Sequence, residues 1–187
     1  MLRLLQSAFA AMLLALGGCA STTTVQLNPA PQAPVCGKSA KAVVFWTTRW
    51  RADQKDVPAR EAAAADGINL FFKKSGCFKS VSIQRLHQDS METIHTAAAE
   101  ATTDQAKVVL IAIRELGPTV RIGGSPALVE GGTEVVLDIS EYEAAKAAPR
   151  KFTVAWRNGG PGVLKGVASL PQDMQAALAA GLQPSAR

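Results

Sequence analysis

The sequence predicts a single small α+β domain, a mixed sheet with helices packed on one face, in the order β-α-β-α-β-β-β-α. Three observations predict it. Val43-Val44-Phe45-Trp46 is a run of consecutive apolar residues, as in a strand buried on both faces. An apolar stripe at helical spacing follows, opened by Pro58 and stopped by Gly76. Further on, three strand-like segments come in succession before a closing helix.

Taken in order, Lys41 to Thr48 is the first strand, and the polar stretch Arg49 to Val57 is a loop. In the helix that follows, Ala64, Ala65, Ile68, Phe71 and Phe72 share one face, and Lys73 and Lys74 favour its last turn. Val81 to Leu86 alternates as a second strand. Asp89 with Glu92 makes a helix start, continued by Ile94, Ala97, Ala98 and Ala101. Lys107 to Leu116 holds the apolar run Val108 to Ile113 and reads as the central strand. Val135, Leu137 and Ile139 mark the next strand, and Phe152, Val154 and Trp156 the last. Asn158 to Gly162 reads as a turn. Leu170 to Leu182 closes the domain as a helix, with Met174, Ala177 and Leu178 on one side and Pro184 beyond it.

The N-terminus has a different character. Arg3 precedes an apolar segment, Leu4 to Leu16, too short to span a bilayer as a mature helix, and Leu16-Gly17-Gly18-Cys19 follows directly. This stretch resembles the lipobox of bacterial lipoproteins. The resemblance implies a signal peptide over residues 1–18 and lipidation of Cys19 by a diacylglycerol and an N-linked acyl chain such as palmitate. Ala20 and Ser21, with no aspartate after the cysteine, imply sorting to the outer membrane, with the domain facing the periplasm. Residues 19–37 read as a flexible tether: Ala20 to Val35 carries no charge and is rich in Ser, Thr, Gln, Asn and Pro. Sixteen such residues reach roughly 20–25 Å. The periplasmic domain then spans residues 38–187. Two or more acyl chains hold a protein stably at a membrane.

Nineteen basic and fifteen acidic residues follow Gly18, a balance of +4. That suits anionic surroundings such as phospholipid headgroups and falls far short of the dense basic clustering of a nucleic-acid binder. Cys36 and Cys77 are the remaining cysteines. In an oxidising compartment they read as a disulfide, with free thiols or a metal site as the alternatives. A βα unit returns its helix beside the strand's start, so both cysteines fall at the same end of the sheet. A closed loop of about 41 residues is worth roughly 4 kcal/mol in the chain-entropy model.

Few residues suggest chemistry. His87 and His95 lack the helical i, i+4 spacing of a zinc pair, so no metal is expected. Gly124-Ser125-Pro126 is no nucleophile elbow, and Glu141 and Glu143 read as a solvated acidic pair. Gly123-Gly124 and Gly131-Gly132 lack the Gly-Lys-Ser/Thr ending of a phosphate loop. Neither catalytic residues nor a cofactor are expected. Two surfaces are better suited to binding. Arg49-Trp50-Arg51, with Lys55 close behind, follows the carboxyl end of the first strand, where α/β sheets place ligand contacts. Gly123 to Gly132 reads as a mobile hairpin loop with an apolar centre at Leu128 and Val129.

From Lys41 to Leu182 the layout resembles a group of small periplasmic α/β modules. The group includes the curli-secretion pore subunit, the outer-membrane activator of penicillin-binding proteins, and auxiliary lipoproteins of lipid-transport ABC systems. The strand ending at Trp46, the Phe71-Phe72 helix before Gly76-Cys77-Phe78, the strands at Val108 and Val135, and the helix around Met174 and Leu178 carry the resemblance. It implies a non-catalytic accessory or assembly factor docking onto an envelope protein partner. A periplasmic lipid- or glycan-binding lipoprotein is the alternative.

Overall fold

The computed structural model describes residues 21–86, 106–122, 129–143 and 148–183, together with Glu92, Thr96, Ala99 and Glu100. The expected α+β domain is present. Six strands form one mixed sheet: β1 (Thr22–Asn28), β2 (Gly37–Thr48), β3 (Phe78–Arg85), β4 (Lys107–Ile122), β5 (Val129–Tyr142) and β6 (Arg150–Pro161). Their spatial order is β1-β6-β5-β4-β2-β3. β2 runs parallel to β3 and β4, and the other neighbours are antiparallel. Two helices, α1 (Val57–Lys74) and α2 (Leu170–Leu182), cover one face. A short 3-10 turn, Val167–Ser169, leads into α2. Most of the helix expected after Asp89 lies outside the described residues; Glu92, Thr96, Ala99 and Glu100 within it are helical and exposed.

Strand alternation divides the two faces. Val44 and Trp46 of β2, Val109, Ile111 and Ile113 of β4, and Leu137 and Ile139 of β5 point toward the helices and are buried there. From above, Ala64, Ile68 and Phe71 of α1 and Met174, Leu178 and Leu182 of α2 close this core. The helices meet at Gly67, where a Cβ would sit 2.6 Å from Met174 Cβ and 2.7 Å from the Pro171 carbonyl. Only glycine permits so close a crossing. On the opposite face a smaller cluster forms around Phe45, Val108 and Leu110.

The structure corrects the reading of residues 19–37 as a tether. Thr22–Asn28 is an edge strand, paired antiparallel with β6 from Thr22↔Gly159 to Asn28↔Thr153. Val25 and Leu27 lie opposite Trp156 and Val154 and pack on the main core. The chain then returns under the end of α2, where the Val35 and Cys36 amides donate to the Leu182 carbonyl at 3.0 and 3.2 Å. The disulfide Cys36–Cys77 forms as expected, with its Cα atoms 4.7 Å apart, and closes the β2–α1 unit.

The strands also run further than expected. β4 continues to Ile122, β5 begins at Val129, and of the Asn158–Gly162 stretch read as a turn β6 takes Asn158 to Pro161, leaving Gly162 in a turn. Gly131 and Gly132 lie opposite Gly160 and Gly159 in the ladder. A Cβ on Gly159 would meet the Gly131 carbonyl oxygen at 2.2 Å, so these glycines serve close backbone approach.

Glu141, read as solvated, is instead buried at the other end of the sheet, 3% exposed. Its carboxylate accepts from Lys107 Nζ at 2.8 Å and Arg150 Nε at 2.7 Å. Lys107 also donates to the Val35 carbonyl and Arg150 to that of Ala33, so the cluster pins the returning segment onto β4, β5 and β6. Burial opposes the charge on Lys107, but the hydrogen bonds and charges of Glu141 and Glu143 outweigh it and hold the ammonium above its ordinary range. Replacing Glu141 by alanine strands two partly buried cations. Urea unfolding of Glu141→Ala is expected to show a loss of about 3 kcal/mol. Removing the exposed Lys38 charge is expected to change stability by less than about 0.5 kcal/mol in the same assay.

Candidate functional site

On the sheet face turned away from α1 and α2, a shallow groove of about 320 Å³ is lined by side chains of β4, β5 and β6 and the ends of β1 and β2. Two cross-strand rows build it. One is Leu110, Ser140 and Lys151; the other is Ala112, Asp138, Thr153 and Asn28. Apart from Leu110 and Ala112, these are polar positions on the face opposite the one that fills the main core. Thr153 Oγ1 donates to Asp138 Oδ1 at 2.8 Å, and Arg114 Nη1 lies 3.4 Å from the same oxygen. Tyr142 closes one end, and burial pushes its hydroxyl above the ordinary value, so it stays protonated as a donor. Arg49 reaches the groove from just beyond β2, its backbone held by an amide bond to the Ile113 carbonyl at 2.8 Å. Arg49 and Lys151 are exposed and have no ion-pair partner among the described residues. Two free cations beside hydroxyls suit an anionic or hydroxyl-rich ligand surface.

The basic-aromatic cluster expected after β2 is therefore divided. Arg49 alone faces the groove. Trp50 is half-buried against the main core, and its Nε1 donates to Glu61 Oε1 at 3.4 Å. Thr48 Oγ1 donates to the same oxygen at 3.2 Å, while Arg85 Nη2 holds the other carboxylate oxygen at 2.7 Å. Arg51 pairs with Glu115 at 3.3 Å, and Glu115 also meets the buried Arg60 at 3.0 Å. The Arg60 guanidinium bonds the Leu116 carbonyl and that of Lys55, and it fills the space a side chain at Gly117 would need. Lys55 itself is exposed. Of the second expected surface, Val129 is half-buried in β5 and its carbonyl accepts from the Gly162 amide at 3.0 Å. Leu128 lies outside the described residues.

Sequence reasoning missed Asp138, Ser140, Tyr142, Lys151 and Thr153. Their signal was present as spacing, since each sits two residues from the next on its strand. Among the described residues no group of His, Cys, Asp and Glu could hold a metal ion. No helix among them is long and apolar enough to cross a membrane.

No protein-family model matches the chain, and no curated protein matches it. Similar solved structures include the PelC dodecamer from Paraburkholderia phytofirmans, 14% identical, with 84% of this chain and 95% of that chain covered and a TM-score of 0.45. Protein XCC0632 from Xanthomonas campestris, of family DUF330, is 16% identical over 86% of each chain, with a TM-score of 0.38. A neuraminyllactose-binding hemagglutinin homolog from Helicobacter pylori is 12% identical, covering 79% of this chain and 84% of its own, at 0.36.

Away from the groove, Glu61 anchors the network that holds Trp50. The Arg85 hydrogen bond is the largest influence on Glu61. Burial works the other way, but the Arg85 charge and the bonds from Trp50 and Thr48 add to the first, and the carboxyl is held below its ordinary value near 4.5. A depressed carboxylate contributes stability above its unfolded pKa and loses it as pH falls through the folded one. Glu61→Gln is expected to be about 1 kcal/mol less stable than the native chain at pH 7. In denaturant titrations that gap closes below about pH 4.

Proposed function

We propose that this chain is a lipid-anchored envelope protein of the outer membrane that acts without bond chemistry, presenting the groove face of its sheet to a periplasmic protein partner. The observation that carries the reading is the junction of two features. Leu16-Gly17-Gly18-Cys19 resembles a lipidation site, and three residues later the chain is already a strand of the folded domain. A domain joined to its anchor this closely is held at one distance from the membrane. Such confinement raises the effective concentration for any partner fixed in the same envelope layer. The groove of Arg49, Tyr142 and Lys151 supplies a contact face with free donors.

A second reading draws on the same groove. Its unpaired cations beside Ser140 and Tyr142 favour an anionic lipid headgroup or a glycan as the ligand. A photoreactive residue at Ser140 in the lipidated protein separates the two in cells. Docking onto a machine predicts a discrete protein adduct. Arg49→Glu with Lys151→Glu is expected to lower its yield about tenfold, equivalent to ~1.4 kcal/mol of lost rim contacts. Adducts of lipid or glycan with no protein among them would overturn the accessory reading in favour of the second.

A further inference from the structure

The register of the sheet fixes at which end of the domain β1 begins. Thr22, the first residue of β1, lies opposite Gly159, which lies opposite Gly132, which lies opposite Thr119. One row of the sheet thus runs from the start of β1 to the β4–β5 hairpin. Beyond that row, among the described residues of the sheet, lie Val120 to Ile122, Val129 to Gly131, and Gly160 with Pro161. Cys19 stands three residues before Thr22, so the backbone between them spans at most about 11 Å. Acyl chains on Cys19 can therefore enter the bilayer only beside this end.

The apolar surface gathers at the same end. Three large hydrophobic side chains are exposed among the described residues: Val120 at 64%, Leu164 at 87% and Val167 at 38%. Val120 lies opposite Gly131 in the ladder. The Val163 carbonyl packs so closely on Gly131 that a Cβ there would approach it to 1.9 Å, which brings Leu164 beside the hairpin. α2 ends at Leu182 beside Val35, at the far end of the sheet, so it begins near the hairpin, with Val167 just ahead of it. The far end holds the Glu141 ion cluster, with Lys107 and Arg150 partly exposed beside it.

We infer that Val120, Leu164 and Val167 form a bilayer-contact face, seated in the phospholipid headgroup region beside the lipidated Cys19. This rests on the lipid-anchor reading and adds to it an orientation. Strand β6 then stands up from the membrane, with Lys151 eight residues, roughly 26 Å, above Gly159. The Arg49–Lys151 groove is held clear of the bilayer and open to the periplasm. The occupant is a lipid surface because the chain's own anchor is delivered there, within reach of the exposed apolar side chains.

The test uses the full lipidated protein in phosphatidylethanolamine–phosphatidylglycerol vesicles. Spin labels are placed singly at Val120→Cys, Leu164→Cys and, as the distal control, Lys151→Cys; Cys36 and Cys77 are bonded and take no label. The face predicts that labels at 120 and 164 collide more with oxygen than with a water-soluble nickel chelate, and that the label at 151 shows the reverse. Labels at 120 and 164 as open to nickel as 151, on protein that sediments with the vesicles, would overturn the contact face and leave the anchor standing. Protein that carries no acyl chain by mass and remains in the supernatant would overturn the anchor, and the face with it. Val120→Glu with Leu164→Glu supplies a second measure, since on anchored protein it is expected to raise nickel access at Val167→Cys several-fold.

Discussion

Backbone pairing between Thr22–Asn28 and β6 is the constraint on which the rest of the arrangement turns. It converts the segment after Cys19 from a flexible leash into the edge of the sheet. Val25 and Leu27 extend the main core beneath α2, and the returning chain is clamped to the Leu182 carbonyl and to the Glu141 cluster. Because the pairing is antiparallel and in fixed register, it also decides at which end of the sheet β1 begins. Slipping the strand by one residue would turn Val25 and Leu27 to the outer face, so the burial of those two side chains holds the register.

Much of the fold was legible in the sequence because its period was strong. Val43 to Trp46, the α1 stripe ending at Phe71 and Phe72, and the α2 stripe through Met174 and Leu178 each name their element and their buried face. The cysteine pair followed from topology. Other parts were hidden by residues whose local preference disagrees with their tertiary role. Thr22 to Leu27 is polar in sum, although threonine is a good strand former and Val25 alternates with Leu27; composition suggested a linker where spacing held a strand. Gly131, Gly132, Gly159 and Gly160 are depleted in strands generally, yet here they permit two backbones to approach where side chains could not fit.

The candidate site was legible only in part for a related reason. Arg49 was visible as a cation after a strand end, but its neighbours Trp50 and Arg51 serve the ion network of Glu61, Glu115 and the buried Arg60. Acidic partners that neutralise such a cluster come from distant segments, and no local pattern announces them. Glu141 shows the converse. Adjacent to other acids in the chain it looks solvated, and only the pairing of β4, β5 and β6 brings Lys107 and Arg150 to it. Groove residues Asp138, Ser140 and Thr153 are ordinary polar positions until register aligns them.

On the proposed reading, with Cys19 as the anchor, sheet register and exposed apolar side chains together describe a domain set directly on a membrane, its polar groove facing away. Neutron reflectometry of the lipidated protein on a supported bilayer measures this most directly. The account predicts protein density that begins at the headgroups, with no water layer between them. A hydrated gap of about 20 Å, as sixteen free residues would leave, would contradict it.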